Sequence, residues 1–188
     1  MTLIISGFPG TGKTMFKINH PELHVLDSDS SSYSKDESFP NNYLEHIKEN
    51  IGKADVILVS SHKVVRNVLN EADIEYTAVF PLDVEREDMY IAKSEYIKRY
   101  RDRGNTEDFI KLIGDNWSSW IADIAMTSKN IFPLRQGEYI EHAWQDLKGY
   151  MGILLIHLMR GTYKGPMAST SIWWTLTGLA IAGFILFV

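Results

Sequence analysis

The fold of this chain is indicated by one short stretch of its sequence, Gly7-Phe8-Pro9-Gly10-Thr11-Gly12-Lys13-Thr14. The stretch matches the phosphate-loop pattern G-x-x-x-x-G-K-[ST] at every fixed position, and it lies between a strand-like apolar run and a helical pattern. Glycines allow such a backbone to curl with successive N–H groups facing inward, and the helix that follows adds its positive end. The sequence therefore predicts an anion site that holds the phosphates of a nucleotide.

The side chains and the backbone of this loop have separate expected roles. Lys13 is expected to reach the β- and γ-phosphates of ATP, and the Thr14 hydroxyl is expected to ligate Mg²⁺. Backbone contacts to the nucleotide are expected from the other positions of the loop, Gly7, Gly10, Thr11 and Gly12. The predicted cofactors are therefore ATP and Mg²⁺.

Short apolar runs alternate with helical patterns along most of the chain. Strands are predicted at residues 3–5, 23–26, 56–59, 76–80 and 131–132. Helices are predicted at residues 14–19, 42–50, 63–71, 84–102 and 107–127, and a last helix starts near Glu138. This alternation is typical of βαβ units, in which helices cover both faces of a parallel sheet. The predicted fold is α/β, with a P-loop NTPase-type parallel sheet of about five strands.

Acidic side chains follow the second predicted strand rather than the third. The third strand ends in Ser60-Ser61-His62, without the carboxylate that often forms the second metal anchor of a switch or motor protein. Asp27 and Asp29 follow the second strand, at the sheet edge where ligands of open α/β folds bind. Because side chains alternate along an extended chain, one of these two is expected to face the nucleotide. Both are candidates to hold Mg²⁺ or to orient an acceptor, and a solvated acidic loop is the alternative.

A charged helix that ends at Gly104-Asn105 carries two arginines at helical spacing. Arg99 and Arg103 are four residues apart, so their guanidinium groups share one face of the helix. Phosphoryl transfer develops negative charge on the transferring group, which arginines can stabilise, so both are candidate catalytic residues together with Lys13 and Asp29. The alternative is a solvated, salt-bridged helix, because acidic residues nearly balance the basic ones here. Tyr96 and Tyr100 are predicted to pack rather than to stack on a base.

Charge is unevenly distributed along the 188 residues. The 24 acidic and 19 basic residues give a formal net charge of −5, and none of them lies after Lys164. The acidic balance argues against non-specific affinity for duplex DNA. Because the chain has no cysteine, disulfides, thiolate nucleophiles and cysteine-based metal sites are excluded.

The C-terminal residues 170–188 are apolar apart from Thr, Ser and Gly. In helical conformation they would reach roughly 28 Å, close to the hydrocarbon thickness of a bilayer. Trp173 and Trp174 stand where an interfacial aromatic belt would lie, with Arg160 and Lys164 on the same side. We therefore predict a phosphate-loop domain at residues 1–160, a linker at 161–169 and a membrane-spanning helix at 170–188, with the head in the cytoplasm. A buried core helix or an appended segment is the alternative for the last part.

Over roughly residues 1–150 the chain resembles the small phage and bacterial P-loop kinases related to nucleoside monophosphate kinases. The resemblance rests on the phosphate loop, Leu-Asp-Ser-Asp-Ser-Ser at 26–31, Arg-Tyr-x-x-Arg-Gly-Asn at 99–105 and Gly-Glu-Tyr-Ile at 137–140. It implies a five-stranded parallel sheet, an acceptor-binding region after the second strand, and a lid whose arginines correspond to Arg99 and Arg103. The chain departs from the family's pattern in its third strand, which lacks an acid, and in its apolar C-terminal segment.

These features together predict Mg²⁺-dependent transfer of the ATP γ-phosphate to a small acceptor. A (deoxy)nucleoside monophosphate is the favoured acceptor, and the membrane is a further expected partner through the C-terminal helix. Two alternatives remain open. One is a membrane-anchored ATPase, GTPase or nucleotide-binding switch, and the other is a 5′-hydroxyl nucleic-acid kinase, which the acidic balance disfavours.

Overall fold

The computed structural model describes residues 2–30, 33–82 and 89–159 of the chain. Five strands are described: β1 (Leu3–Gly7), β2 (Val25–Asp27), β3 (Val56–Ser60), β4 (Thr77–Pro81) and β5 (Asn130–Leu134). Seven helices are described: α1 (Lys13–Asn19), α2 (Asn41–Asn50), α3 (Lys63–Glu71), α4 (Met89–Asp102), α5 (Glu107–Asp115), α6 (Trp117–Thr127) and α7 (Ile140–Met159). The predicted alternation of strands and helices is confirmed in this part of the chain. Residues 84–88 of the predicted fourth helix lie outside the described residues.

The strands form one parallel sheet in the order β2-β3-β1-β4-β5. β1 lies in the middle, paired with β3 on one side and β4 on the other. The chain therefore builds one half of the sheet to one side of β1 and then crosses over to build the other half. Ligands of open α/β sheets bind at such a reversal, beyond the carboxyl ends of the strands. The fold thus places the phosphate loop, which follows β1, at the expected position of a ligand site.

Side chains of the sheet alternate between two hydrophobic cores. Along β3, Ile57 and Val59 face one core, and Val56 and Leu58 face the other. The first core includes buried side chains from α2 to α6, and the second includes side chains from α1 and α7. Strands that are covered on both faces read as continuous apolar runs, which is why the sequence of β3 shows no polar alternation.

The helical pattern at residues 107–127 folds as two helices with a break at Asn116. The Asn116 N–H and side-chain amide both donate to the Leu112 carbonyl and end α5, at 3.3 and 2.9 Å. The Asn116 carbonyl accepts from the Trp120 N–H at 2.9 Å and starts α6. Because asparagine readily serves at helix ends, a single residue redirects the chain here and allows both helices to bury apolar side chains.

The chain divides into two compact units, Met1–Ile153 and Leu154–Val188. In the second unit the structure describes the helical residues 154–159. The predicted linker at 161–169 and the predicted membrane-spanning helix at 170–188 lie outside the described residues. Among the helices of the described part, none has the length and apolar character that crossing a membrane requires.

Candidate functional site

The phosphate loop connects the end of β1 to the start of α1 and is held from within and from β4. The Phe8 N–H donates to the Val79 carbonyl at 2.8 Å, and the Thr11 hydroxyl donates to the Phe8 carbonyl at 2.7 Å. Gly10 and Gly12 have φ angles of +83° and +90°, in the left-handed region that favours glycine. These two glycines of the motif therefore allow the curled backbone that the sequence predicts.

Aromatic rings press against two of these glycines. A Cβ atom at Gly10 would lie 3.0 Å from Cε1 of Tyr100, and one at Gly12 would lie 3.0 Å from Cδ1 of Tyr139. Tyr96 and Tyr100 are 2% and 0% exposed, which confirms that they pack rather than offer a free ring to a base. Their rings support the outer side of the loop.

Several backbone N–H groups of the loop point to no acceptor in the described part of the chain. These groups belong to Gly12, Lys13 and Thr14, at the start of α1. The first N–H groups of a helix have no intrahelical partner, and together with the helix dipole they attract anions. The residues present thus fit a bound phosphate group.

Lys13 lies folded against the loop. Its Nζ donates to the Gly7 carbonyl at 2.7 Å. Burial lowers the pKa of Lys13 to about 8, the carboxylates of Asp27 and Asp29 oppose this shift, and the charge of Arg103 adds to it. The side chain therefore carries its proton through most of the neutral range and is surrounded by the charges that the sequence predicts near it.

Thr14 and Asp27 meet at the mouth of the loop. The Thr14 hydroxyl donates to Oδ2 of Asp27 at 3.0 Å, although the two residues belong to α1 and β2. Mg²⁺ prefers oxygen ligands and keeps several waters, so a hydroxyl and one carboxylate beside a phosphate site fit this ion. No group of three or more His, Asp or Glu side chains suited to a metal occurs in the part of the chain that the structure describes. The structure brings Asp27 into hydrogen-bond contact with Thr14.

The two predicted catalytic arginines have different surroundings. Arg103 is exposed beyond the end of α4, and its charge is close enough to lower the pKa of Lys13. Arg99 is buried, and it donates to the carbonyls of Gly10 and Glu138 at 3.0 and 2.9 Å. Contact of either arginine with a transferring phosphate stays a prediction.

The segment after β2 and His62, which follows β3, lie close together. His62, the N-cap residue of α3, has its pKa lowered by burial and by the charges of Lys35 and Lys13, while Asp29 acts in the opposite direction. Tyr43 on α2 holds the segment, because its hydroxyl donates to the Ser28 carbonyl at 2.6 Å. The fold therefore brings the segment after β2 near the start of α3 and near Lys13.

Comparisons with known proteins leave the site to be interpreted from its own geometry. No protein-family model matches the chain, and no curated protein matches it significantly. The assignment of a function therefore depends on the loop, the Thr14–Asp27 pair and the surrounding charges.

Sequence reasoning missed the role of α4 and of the turn before α7 in holding the loop. The Tyr100 hydroxyl donates to the Pro9 carbonyl at 2.9 Å, and the Ile140 N–H donates to the Thr11 carbonyl at 3.0 Å. Glu95 belongs to the same junction through an ion pair with Arg99. No local sequence signal points to these contacts, because they join segments that are far apart in the chain.

Proposed function

We propose that this chain is a phosphotransferase that moves the γ-phosphate of ATP to a small acceptor, with a (deoxy)nucleoside monophosphate as the favoured class. The observation that carries the proposal is the anion site itself. It combines N–H groups at the start of α1, which have no acceptor among the described residues, with Lys13 and with the Thr14–Asp27 pair. These are the parts that phosphoryl transfer needs for the donor and its metal ion.

Each residue has a distinct part in the proposed reaction. Lys13 and the loop N–H groups bind the β- and γ-phosphates and neutralise their charge. Thr14 and Asp27 hold Mg²⁺, which supplies further positive charge to the phosphate oxygens. Arg103 stabilises the group in transfer, and Asp29 helps to orient the acceptor.

The bond changes require little acid–base chemistry from the protein. The bond between the γ-phosphorus and the β–γ bridging oxygen breaks, and a bond from a phosphate oxygen of the acceptor to the γ-phosphorus forms. ADP leaves with the electron pair of the broken bond. An acceptor phosphate is already ionised at neutral pH, so catalysis depends on positioning and charge stabilisation. The cleft edge formed by Asp29, Lys35 and His62 is the proposed acceptor side.

The resemblance to nucleoside monophosphate kinases supports a nucleotide as acceptor. It implies that the segment after β2 binds the acceptor, and in this chain that segment carries both Asp29 and Lys35. Asp27, at the end of β2, also takes the place of the acid that β3 lacks. This arrangement favours a kinase over a switch protein that depends on a third-strand carboxylate.

An acceptor-profiling assay tests the proposal. The full chain is incubated with ATP and Mg²⁺, and ADP production is followed with a panel of nucleoside and deoxynucleoside monophosphates. We expect ADP production that requires an acceptor, and we expect Lys13→Ala to lower kcat/KM by roughly 100-fold or more. Lys17→Ala, an exposed lysine one turn further along α1, is the matched control and should behave like the parent.

Two outcomes would contradict the proposal. ATP consumption that is independent of every acceptor would favour the ATPase or switch alternative. A Lys13→Ala variant with the activity of the parent would show that the loop does not carry the reaction.

A further inference from the structure

Arg99 is held by hydrogen bonds from both terminal nitrogens of its guanidinium group and by two tyrosine rings that lie against it. The side chain is 8% exposed, and its carbon Cζ lies 3.7 Å from the centroid of the Tyr139 ring and 4.4 Å from that of Tyr96. One terminal nitrogen donates to the Gly10 carbonyl at 3.0 Å. The other pairs with Glu95 and donates to the Glu138 carbonyl at 2.9 Å. The guanidinium group of Arg99 is thus buried and hydrogen-bonded within the protein.

The contact with Gly10 fixes one peptide plane of the phosphate loop. The carbonyl of the peptide between Gly10 and Thr11 accepts from Arg99, and the N–H of the same peptide donates to the Phe8 carbonyl at 3.2 Å. A peptide group is planar, so bonds at both of its ends fix its rotation. The N–H groups of Gly12 and Lys13 belong to the peptides that follow directly from this fixed one.

Glu95 and Arg99 also join the loop to the turn before α7. Oε2 of Glu95 accepts from the Gly137 N–H at 3.0 Å, next to the Glu138 carbonyl that accepts from Arg99. The Glu95 carboxylate therefore orients the arginine and holds the turn. Two charged side chains on α4 connect three segments that are distant in sequence.

We propose that Arg99, oriented by Glu95, is a positioning residue that holds the phosphate loop in its anion-binding conformation. Its two terminal nitrogens are occupied by the loop and turn carbonyls and by Glu95, and the Tyr139 and Tyr96 rings lie against the guanidinium group. Its Nε is buried without a hydrogen-bond partner in the described part of the chain. The inference rests on the proposed nucleotide binding, but it does not depend on the identity of the acceptor.

Binding of ATP and of ADP distinguishes a positioning role from contact with the transferring group. The N–H groups of the loop serve both nucleotides, whereas a residue that touches the γ-phosphate favours ATP alone. We expect Arg99→Gln to lower the affinity for ATP and the affinity for ADP by the same factor. This factor is roughly tenfold, which corresponds to about 1.4 kcal/mol of binding free energy. We expect Arg103→Gln to lower kcat or the affinity for ATP, with little effect on the affinity for ADP.

Calorimetric titration of each full-length variant with the two nucleotides measures these factors, and circular dichroism checks the fold. Arg101→Gln is the matched control, because Arg101 is exposed on the same helix and lies 3.7 Å from Glu107. Glu95→Gln keeps the size of the side chain and removes its charge. It should lower the affinities for ATP and ADP by equal factors, which are smaller than those of Arg99→Gln. This variant serves as the second test if Arg99→Gln does not fold.

Three outcomes would overturn the inference. Loss of ATP binding or of kcat in Arg99→Gln, with ADP binding retained, would assign Arg99 to the transferring phosphate. Parental affinities for both nucleotides in folded Arg99→Gln or Glu95→Gln would show that the contact does not position the loop. A parent protein that binds neither nucleotide would instead contradict the proposed function itself.

Discussion

Lys13 shows how the surroundings of one residue determine its chemistry. Its ammonium group is bound to the Gly7 carbonyl, and burial brings its pKa down to about 8. An ordinary lysine stays charged far above neutral pH. In this protein, the charge of Lys13 is expected to be lost near the upper end of the physiological range.

This pKa predicts that nucleotide affinity depends on pH. The protonated form attracts phosphate, so binding is strongest below pH 8 and weakens as the pH rises through that value, by up to roughly tenfold per pH unit. Titration of the full chain with ADP between pH 7.5 and 9.5 measures the effect, since the ADP phosphates are fully ionised there. Lys13→Arg keeps its charge and should give a flat profile. A parent profile as flat as that of Lys13→Arg would contradict the prediction.

The Thr14–Asp27 contact predicts which acid serves the metal ion. Asp27→Asn removes a negative charge and keeps the shape of the side chain, so Mg²⁺ affinity in the presence of ADP should fall by roughly 10- to 100-fold. Magnesium titration of nucleotide binding measures the change. Asp146→Asn, on an exposed site of α7, is the control and should retain the parental affinity. An Asp27→Asn variant with unchanged Mg²⁺ dependence would remove Asp27 from the metal site.

At the scale of elements, α1 is joined to α7 as well as to the loop. The Phe16 ring packs at 4.9 Å from the ring of Trp144 between centroids. His20, which follows α1, contacts Glu22 through Nδ1 at 2.7 Å and Glu141 of α7 through Nε2 at 3.1 Å. The hydrogen bond with Glu22 is the main cause that raises the pKa of His20, and burial opposes it. The end of α1 is therefore held by a titratable contact.

This contact predicts a pH-dependent stability of the folded protein. Because folding raises the pKa of His20, its stabilisation is fully present below about pH 6.5 and is lost as the pH rises through the folded value. The difference in unfolding free energy between the parent and His20→Gln should be about 1 kcal/mol or less at pH 5.5 and should shrink at pH 8.5. Urea denaturation at both pH values measures it.

The control for this prediction is His24→Gln. The ring of His24 hydrogen-bonds the Lys53 carbonyl rather than a pair of carboxylates. If the His20→Gln difference is the same at both pH values, the ion pairs do not contribute as proposed.

At the scale of the whole molecule, the strand order assembles a site from distant parts of the chain. Residues from the loop, from the end of β2 and from the region after α4 meet at one edge of the sheet because parallel strands share the direction of their carboxyl ends. The turn before α7, which follows β5, contacts the loop through the bond from the Ile140 N–H to the Thr11 carbonyl. The site is therefore a product of the sheet topology as much as of the motif.

The membrane anchor predicted at residues 170–188 is also a property of the whole chain. Its apolar length and the position of its tryptophans favour insertion. In a vesicle flotation assay, the full chain should rise with the lipid, and a chain that ends at Lys164 should stay in the dense fraction. A full chain that remains in the dense fraction together with the truncated chain would contradict the anchor.

The sequence by itself was enough to predict the phosphate-loop motif, the α/β class and, apart from the break at Asn116, the order of strands and helices along the chain. These features depend on residues that are close along the chain. The glycines of the loop have positive φ angles where the motif requires them, and apolar runs such as residues 56–59 form buried strands. Local spacing and burial preference act over a few residues, so a single sequence is sufficient to recognise them.

Only the tertiary structure decided which side chains meet at the site. Asp27 and Asp29 are equivalent as a pattern, and only the fold shows that Asp27 accepts a hydrogen bond from Thr14. Arg99 has the spacing of a lid arginine, but its guanidinium group binds the Gly10 carbonyl, 89 residues away in the chain. Contacts of this kind depend on the path of the chain across the sheet, which no local periodicity encodes.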